Sequence, residues 1–61
     1  MNRWIVHSEA GEERIEADEV EITPSGALLF YGYASRRQTE RSLLLAFAPT
    51  SWRRCEAESR E

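Results

Sequence analysis

Apolar residues alternate with charged ones across residues 12–22, and the alternation changes phase once. Ile15 and Ala17 stand at odd positions with Glu12, Arg14 and Glu16 on the opposite face; Val20 and Ile22 then stand at even positions. A strand sends successive side chains to opposite faces, so its apolar set cannot change parity without an extra residue or a sharp bend. The segment is therefore predicted to bend near Asp18 and Glu19. Bends of this kind curl small sheets into barrels.

The flanking segments fit the same architecture. "RWIVHS" (3–8) is rich in aromatic and β-branched residues and suits a strand. "EAG" (9–11) then places Gly11 at the left-handed position of a three-residue hairpin loop. "TPSG" (23–26) reads as a tight turn, with Pro24 presetting φ at its second position. "ALLFYGYA" follows with apolar residues on both faces, which suits a central strand, and Gly32 marks a bend or a place where another side chain crosses the backbone. The run at 43–48 is continuously apolar and of strand length. "TSWRRC" (50–55) is read as a short last strand with Trp52 turned inward.

These segments predict an all-β fold: a small antiparallel meander of four to five strands curled into an open barrel or a twisted sheet. The alternative is a three-stranded sheet plus one helix at 36–48, with Ser35 as N-cap, Gln38 completing a capping box and Pro49 as the stop. The expected core is Trp4, Val6, Ile15, Val20, Ile22, Leu28, Phe30, Leu43, Leu45 and Phe47. Residues 1–55 are expected to form a single small domain and 56–61 a frayed charged tail.

With 61 residues, such a domain buries only about 60% of the surface its unfolded chain exposes, so a deep catalytic cleft is not expected. One cysteine, Cys55, and one histidine, His7, supply neither a disulfide framework nor a zinc site within one chain. A lone cysteine fits a reducing compartment, and no apolar run approaches the roughly 20 residues that cross a bilayer. The expectation is a cytoplasmic protein with no membrane segment.

Charge is divided along the chain. Residues 1–30 hold seven acids against Arg3 and Arg14, whereas residues 31–54 hold five arginines against Glu40, for a net charge of −3. Arg36, Arg37 and Arg41 cluster at a proposed hairpin tip, and Arg53 and Arg54 join them if the last strand lies alongside. With Tyr31 and Tyr33 nearby, the cluster pairs cations for phosphates with rings for base stacking. The plainer reading is a solvated hairpin end whose arginines guard apolar strands against aggregation, and the acidic pI favours it. The acidic row from Glu9 to Glu21 reads as a solvated strand face, or as a dock for a basic partner. A homodimer joining the acidic half of one copy to the arginine arm of another is a third reading.

Catalysis has little to stand on. Cys55 and His7 would be the one nucleophile and base, and they lie near opposite ends without an oxyanion motif. Gly11, Gly26 and Gly32 are too far apart for a phosphate loop. No enzyme activity, metal or cofactor is expected.

The strings "IEADEVEITPSGALLFY" and "AFAPTSW" resemble small uncharacterised β-sheet proteins of high-GC actinobacteria and their phages, over about residues 12–52. The resemblance implies a phage or prophage accessory protein that binds a host macromolecule, and it implies no functional residues. The residues themselves point to a non-enzymatic binding module, with a protein as partner and nucleic acid as the alternative. Its expected surface is Leu29, Tyr31 and Tyr33 as apolar contact area, with Arg36, Arg37, Arg41, Arg53 and Arg54 as the cationic set.

Overall fold

The computed structural model describes residues 2–33 and 40–58, and within them every regular element is a strand. In chain order these are β1 (Asn2–Ser8), β2 (Gly11–Ala17), β3 (Glu19–Ile22), β4 (Leu28–Gly32), β5 (Ser42–Phe47) and β6 (Arg54–Ala57). They form two antiparallel three-stranded sheets, β2-β1-β6 and β3-β4-β5. The fold is all-β and antiparallel, as the alternation pattern predicts, and it is not a closed barrel.

The phase change at Asp18 is the joint between the sheets. β2 pairs with β1, and one residue later the same chain pairs with β4 as β3. Asp18 holds the corner: its backbone N–H donates to the Tyr31 carbonyl (2.9 Å), and its Oδ2 accepts from the Tyr33 N–H (2.9 Å). The bend splits one expected strand into two, so six strands are seen where four or five were expected. The last strand also leaves meander order, since β6 returns to β1 and places Val6 opposite Cys55.

The helix alternative over 36–48 is not what forms at its C-terminal part, because Ser42–Phe47 is extended and pairs with β4; residues 36–39 lie outside the described residues. A continuous apolar run satisfies a strand next to a central neighbour, whereas it gives a helix no polar face. β6 carries regular pairing through Ala57, and the Glu58 N–H donates to the Arg3 carbonyl (2.9 Å). The ordered sheet thus runs past residue 55, where the charged tail was expected to begin.

Turn chemistry follows the sequence closely. The β1–β2 hairpin is one residue tighter than expected, with Ser8 paired to Gly11 across Glu9 and Ala10, and Gly11 adopts φ +117°. In "TPSG" the Gly26 N–H donates to the Thr23 carbonyl (2.9 Å) and Gly26 adopts φ +95°, a region L side chains rarely enter.

The core lies between the sheets: Val6, Ile15, Ala17, Leu28 and Phe30 are buried, and Trp4, Val20, Phe47, Trp52 and Cys55 pack against them. Phe30 is the hub, with the Trp4 and Phe47 rings at 6.5 and 6.1 Å between centroids. Trp52 precedes β6 rather than lying in it, and its indole N–H donates to the Gly26 carbonyl (3.0 Å), fastening the β5–β6 connection to the Pro24 turn.

Three residues expected in the core are exposed instead, namely Ile22 (59%), Leu43 (57%) and Leu45 (36%), as is Leu44 (49%). The reason is topological. β3, which ends at Ile22, and β5 are the two edge strands of their sheet, and a bulge shifts the β5 register, so that Phe30 faces Leu45 while Tyr31 faces Leu43. Leu44, the extra residue, lies across Gly32: a Cβ there would come within 2.9 Å of the Leu44 Cδ1.

Candidate binding surface

Alternation along β4 sends Leu28 and Phe30 into the core and Leu29 and Tyr31 to the outer face of the β3-β4-β5 sheet. Cross-strand pairing fixes their neighbours. Leu29 lies between Glu21 and Ala46, and Tyr31 between Glu19 and Leu43. The result is an apolar centre of Leu29, Tyr31 and Leu43 with a carboxylate row along one side.

That row is capped by Arg41. Its guanidinium donates to Glu19 Oε1 (2.9 Å) and to Glu21 Oε1 (3.0 Å), and its Cζ sits 3.9 Å from the centre of the Tyr31 ring. Cation–π contact and two charge-assisted bonds hold the arginine flat on the sheet. Tyr33 comes to the same carboxylate from the other side, its phenol donating to Glu19 Oε2 (2.7 Å).

The electrostatics follow this geometry. The Tyr33 hydrogen bond, and after it Arg41, hold the Glu19 carboxyl below its ordinary range. The same bond to Glu19 pushes the Tyr33 phenol up, with partial burial adding to the effect. Glu19 likewise raises Arg41, which stays cationic at every working pH.

Of the residues expected to act together, the structure brings together Leu29, Tyr31, Tyr33 and Arg41. Arg36 and Arg37 lie outside the described residues. Arg53 and Arg54 belong to the other sheet, because β6 runs beside β1 and not beside β5. There Arg53 pairs with Glu9 (3.0 Å) and Arg54 with Glu56 (3.0 Å). Arg53 also borders a shallow polar depression with Ser8, Glu9, Ala10, Thr50 and Ser51.

Every described arginine has a carboxylate partner in its own chain, since Arg3 also pairs with Glu16 (3.2 Å) and Arg14 with Glu58 (3.6 Å). His7 is half-buried between Glu56 (Nε2 to Oε2, 2.8 Å) and Glu12 (Nδ1 to Oε2, 3.6 Å). Among the described residues, Arg41 and Arg53 thus carry charge of the arginine-rich half onto carboxylates of the acidic half. Opposite charges on neighbouring strands stabilise a sheet modestly, and the pairs here sit near the surface.

Sequence reasoning missed Glu19 and Glu21 as partners of Arg41, and Leu43 as part of the outer face. The signal for the carboxylates was present, because the phase change turns both outward; the bulge that frees Leu43 has no such signature. Among the described residues no group of His, Cys, Asp and Glu is arranged to hold a metal ion, and no helix is long and apolar enough to cross a membrane.

No protein-family model matches the chain, and neither a curated protein nor a solved structure matches it significantly.

Proposed function

We propose that the chain is a protein-binding module that acts without catalysis through the outer face of the β3-β4-β5 sheet. The observation that carries this reading is the contiguous placement of Leu29, Tyr31 and the 57%-exposed Leu43 on one face. Contiguous exposed apolar area marks interaction sites, and aromatic residues concentrate binding energy there. Glu19, Glu21 and Arg41 form a polar rim already oriented by one another, so a partner meets a surface that needs little ordering.

A protein partner fits better than nucleic acid because the Arg41 charge is already offset by Glu19 and Glu21, a carboxylate pair that would repel a phosphate beside it. A phage or prophage accessory role, implied by the resemblance of residues 12–52, suits a module of this kind.

The test is affinity capture with the wild type and with Leu29→Ser and Tyr31→Ser, each checked for folding by circular dichroism. The reading expects both substitutions to remove the captured partner, and the wild-type complex to survive moderate salt. Unchanged capture by both folded variants would sink it. Salt-sensitive NMR shifts with oligonucleotides would transfer the surface to nucleic acid.

A further inference from the structure

We infer that two copies of the chain pair through the outer edges of β5, antiparallel about a two-fold axis, to form one continuous sheet. This proposal uses the sheet edge and does not rest on the outer face assigned above.

Two sheets of three strands present four edge strands, β2, β6, β3 and β5. Natural edges are guarded against pairing by charged side chains, and three of these four follow that rule. β2 carries Glu12, Glu13, Arg14 and Glu16; β6 carries Arg54 and Glu56; β3 carries Glu19 and Glu21. β5, Ser42–Phe47, carries no charge at all, and among the described residues it pairs with β4 alone. Its three leucines, Leu43, Leu44 and Leu45, are exposed by 57, 49 and 36%.

The absence of charge selects a second copy as the occupant. A two-fold antiparallel contact sets residue i of one strand against residue j of its copy, and j against i. β3 would set Glu19 against Glu21 across such an axis, whereas β5 alone of the four edges offers its copy an uncharged strand with three exposed leucines, apolar against apolar.

The bulge supports one register. Leu43 and Ala46 share the outer face with Tyr31 and Leu29, whereas Ser42, Leu45 and Phe47 lie opposite Gly32, Phe30 and Leu28 on the inner face. Leu44 reaches over Gly32 on that same inner side. Setting Leu44 against Leu45 of the other copy puts Leu43 against Ala46 and Ser42 against Phe47. Every residue then meets one from its own face, as antiparallel neighbours must.

Sedimentation velocity on the wild type over a wide concentration range is the first test, and a dimer is expected. Leu44→Lys and Leu44→Glu should each weaken association about a hundredfold or more, because like charges then meet near the axis. An equimolar mixture of the two variants should associate again, which loss of folding cannot imitate. In a mixed-label wild-type sample, isotope-filtered NOEs should join Leu44 of one copy to Leu45 of the other. Leu29→Ser and Tyr31→Ser should stay dimeric. A wild type that is monomeric throughout, including one whose edge instead takes an extended segment of another protein, overturns the proposal. So does a dimer that persists in both Leu44 variants or lacks the Leu44–Leu45 NOE.

Discussion

The phenol of Tyr33 donates a 2.7 Å hydrogen bond to Glu19, whose other carboxylate oxygen accepts from Arg41 at 2.9 Å. One side chain on β3 thereby holds the chain on both sides of the β4–β5 connection, just after β4 ends and just before β5 begins.

The Tyr33 phenol is expected to titrate above the ordinary tyrosine value of 10.0, because ionising it costs the bond to Glu19 and sets two anions together. A raised folded-state value means that this bond's stabilisation is fully present below the unfolded value and fades as pH rises through the folded one. Phenolate absorbance of the wild type and of Glu19→Gln measures it. The substitution should bring the Tyr33 transition down; an unchanged transition would show that Glu19 is not the cause.

Acid should act through Glu56 in the opposite sense. Its carboxyl is held below the ordinary 4.5 by the hydrogen bond to His7 first and by Arg54 second. A depressed value gives stability that is present above the unfolded pKa and is lost as pH falls through the folded one. Urea midpoints for the wild type and Glu56→Gln should therefore differ at neutral pH and converge in acid, below the depressed Glu56 value. Equal midpoints at neutral pH would remove His7 and Glu56 from the account of how β6 is held.

Phe30→Ala is expected to unfold the domain. Removing a buried phenylalanine costs about 3–5 kcal/mol, and a chain of this size has a total stability of about 3–9 kcal/mol. Phe30 is fully buried and touches the rings of Trp4 and Phe47, so neighbouring strands cannot readily collapse into the gap. Far-UV circular dichroism and urea titration report the outcome. A cooperative transition near the wild-type midpoint would place the centre of the core elsewhere.

Cys55 should react slowly. Burial against the core, and then the Glu56 charge, push its thiol above the ordinary range, so little thiolate exists at neutral pH. A coloured disulfide reagent should label the native protein much more slowly than the urea-unfolded chain. Equal rates would mean that β6 does not stay packed on β1.

The bend at Asp18 was legible in the sequence because a change of parity has few physical solutions. The Pro24 turn was legible for a related reason: Pro24 fixes its own φ, and Gly26 permits the positive φ that the turn requires. The position of β6 was not, since nothing local to residues 54–57 says which earlier strand has an open edge. The burial of the β5 leucines was misjudged for the same cause, because composition makes a run apolar while topology decides whether it is covered. Arg41 was legible as part of the outer face, but its capture by Glu19 and Glu21 depends on β3 lying beside β4.

The ion pairs carry a consequence for the chain before it folds. Arg41 meets Glu19 across 22 positions of sequence and Arg53 meets Glu9 across 44, each joining the acidic half to the arginine-rich half. In the unfolded chain 22 residues span about 26 Å on average, beyond the Debye length of about 10 Å at 0.1 M salt, so the two halves attract one another only at low ionic strength or once collapse has brought them close. The charge segregation then favours the late loop closures the native sheets require, and lowering the salt should extend its reach.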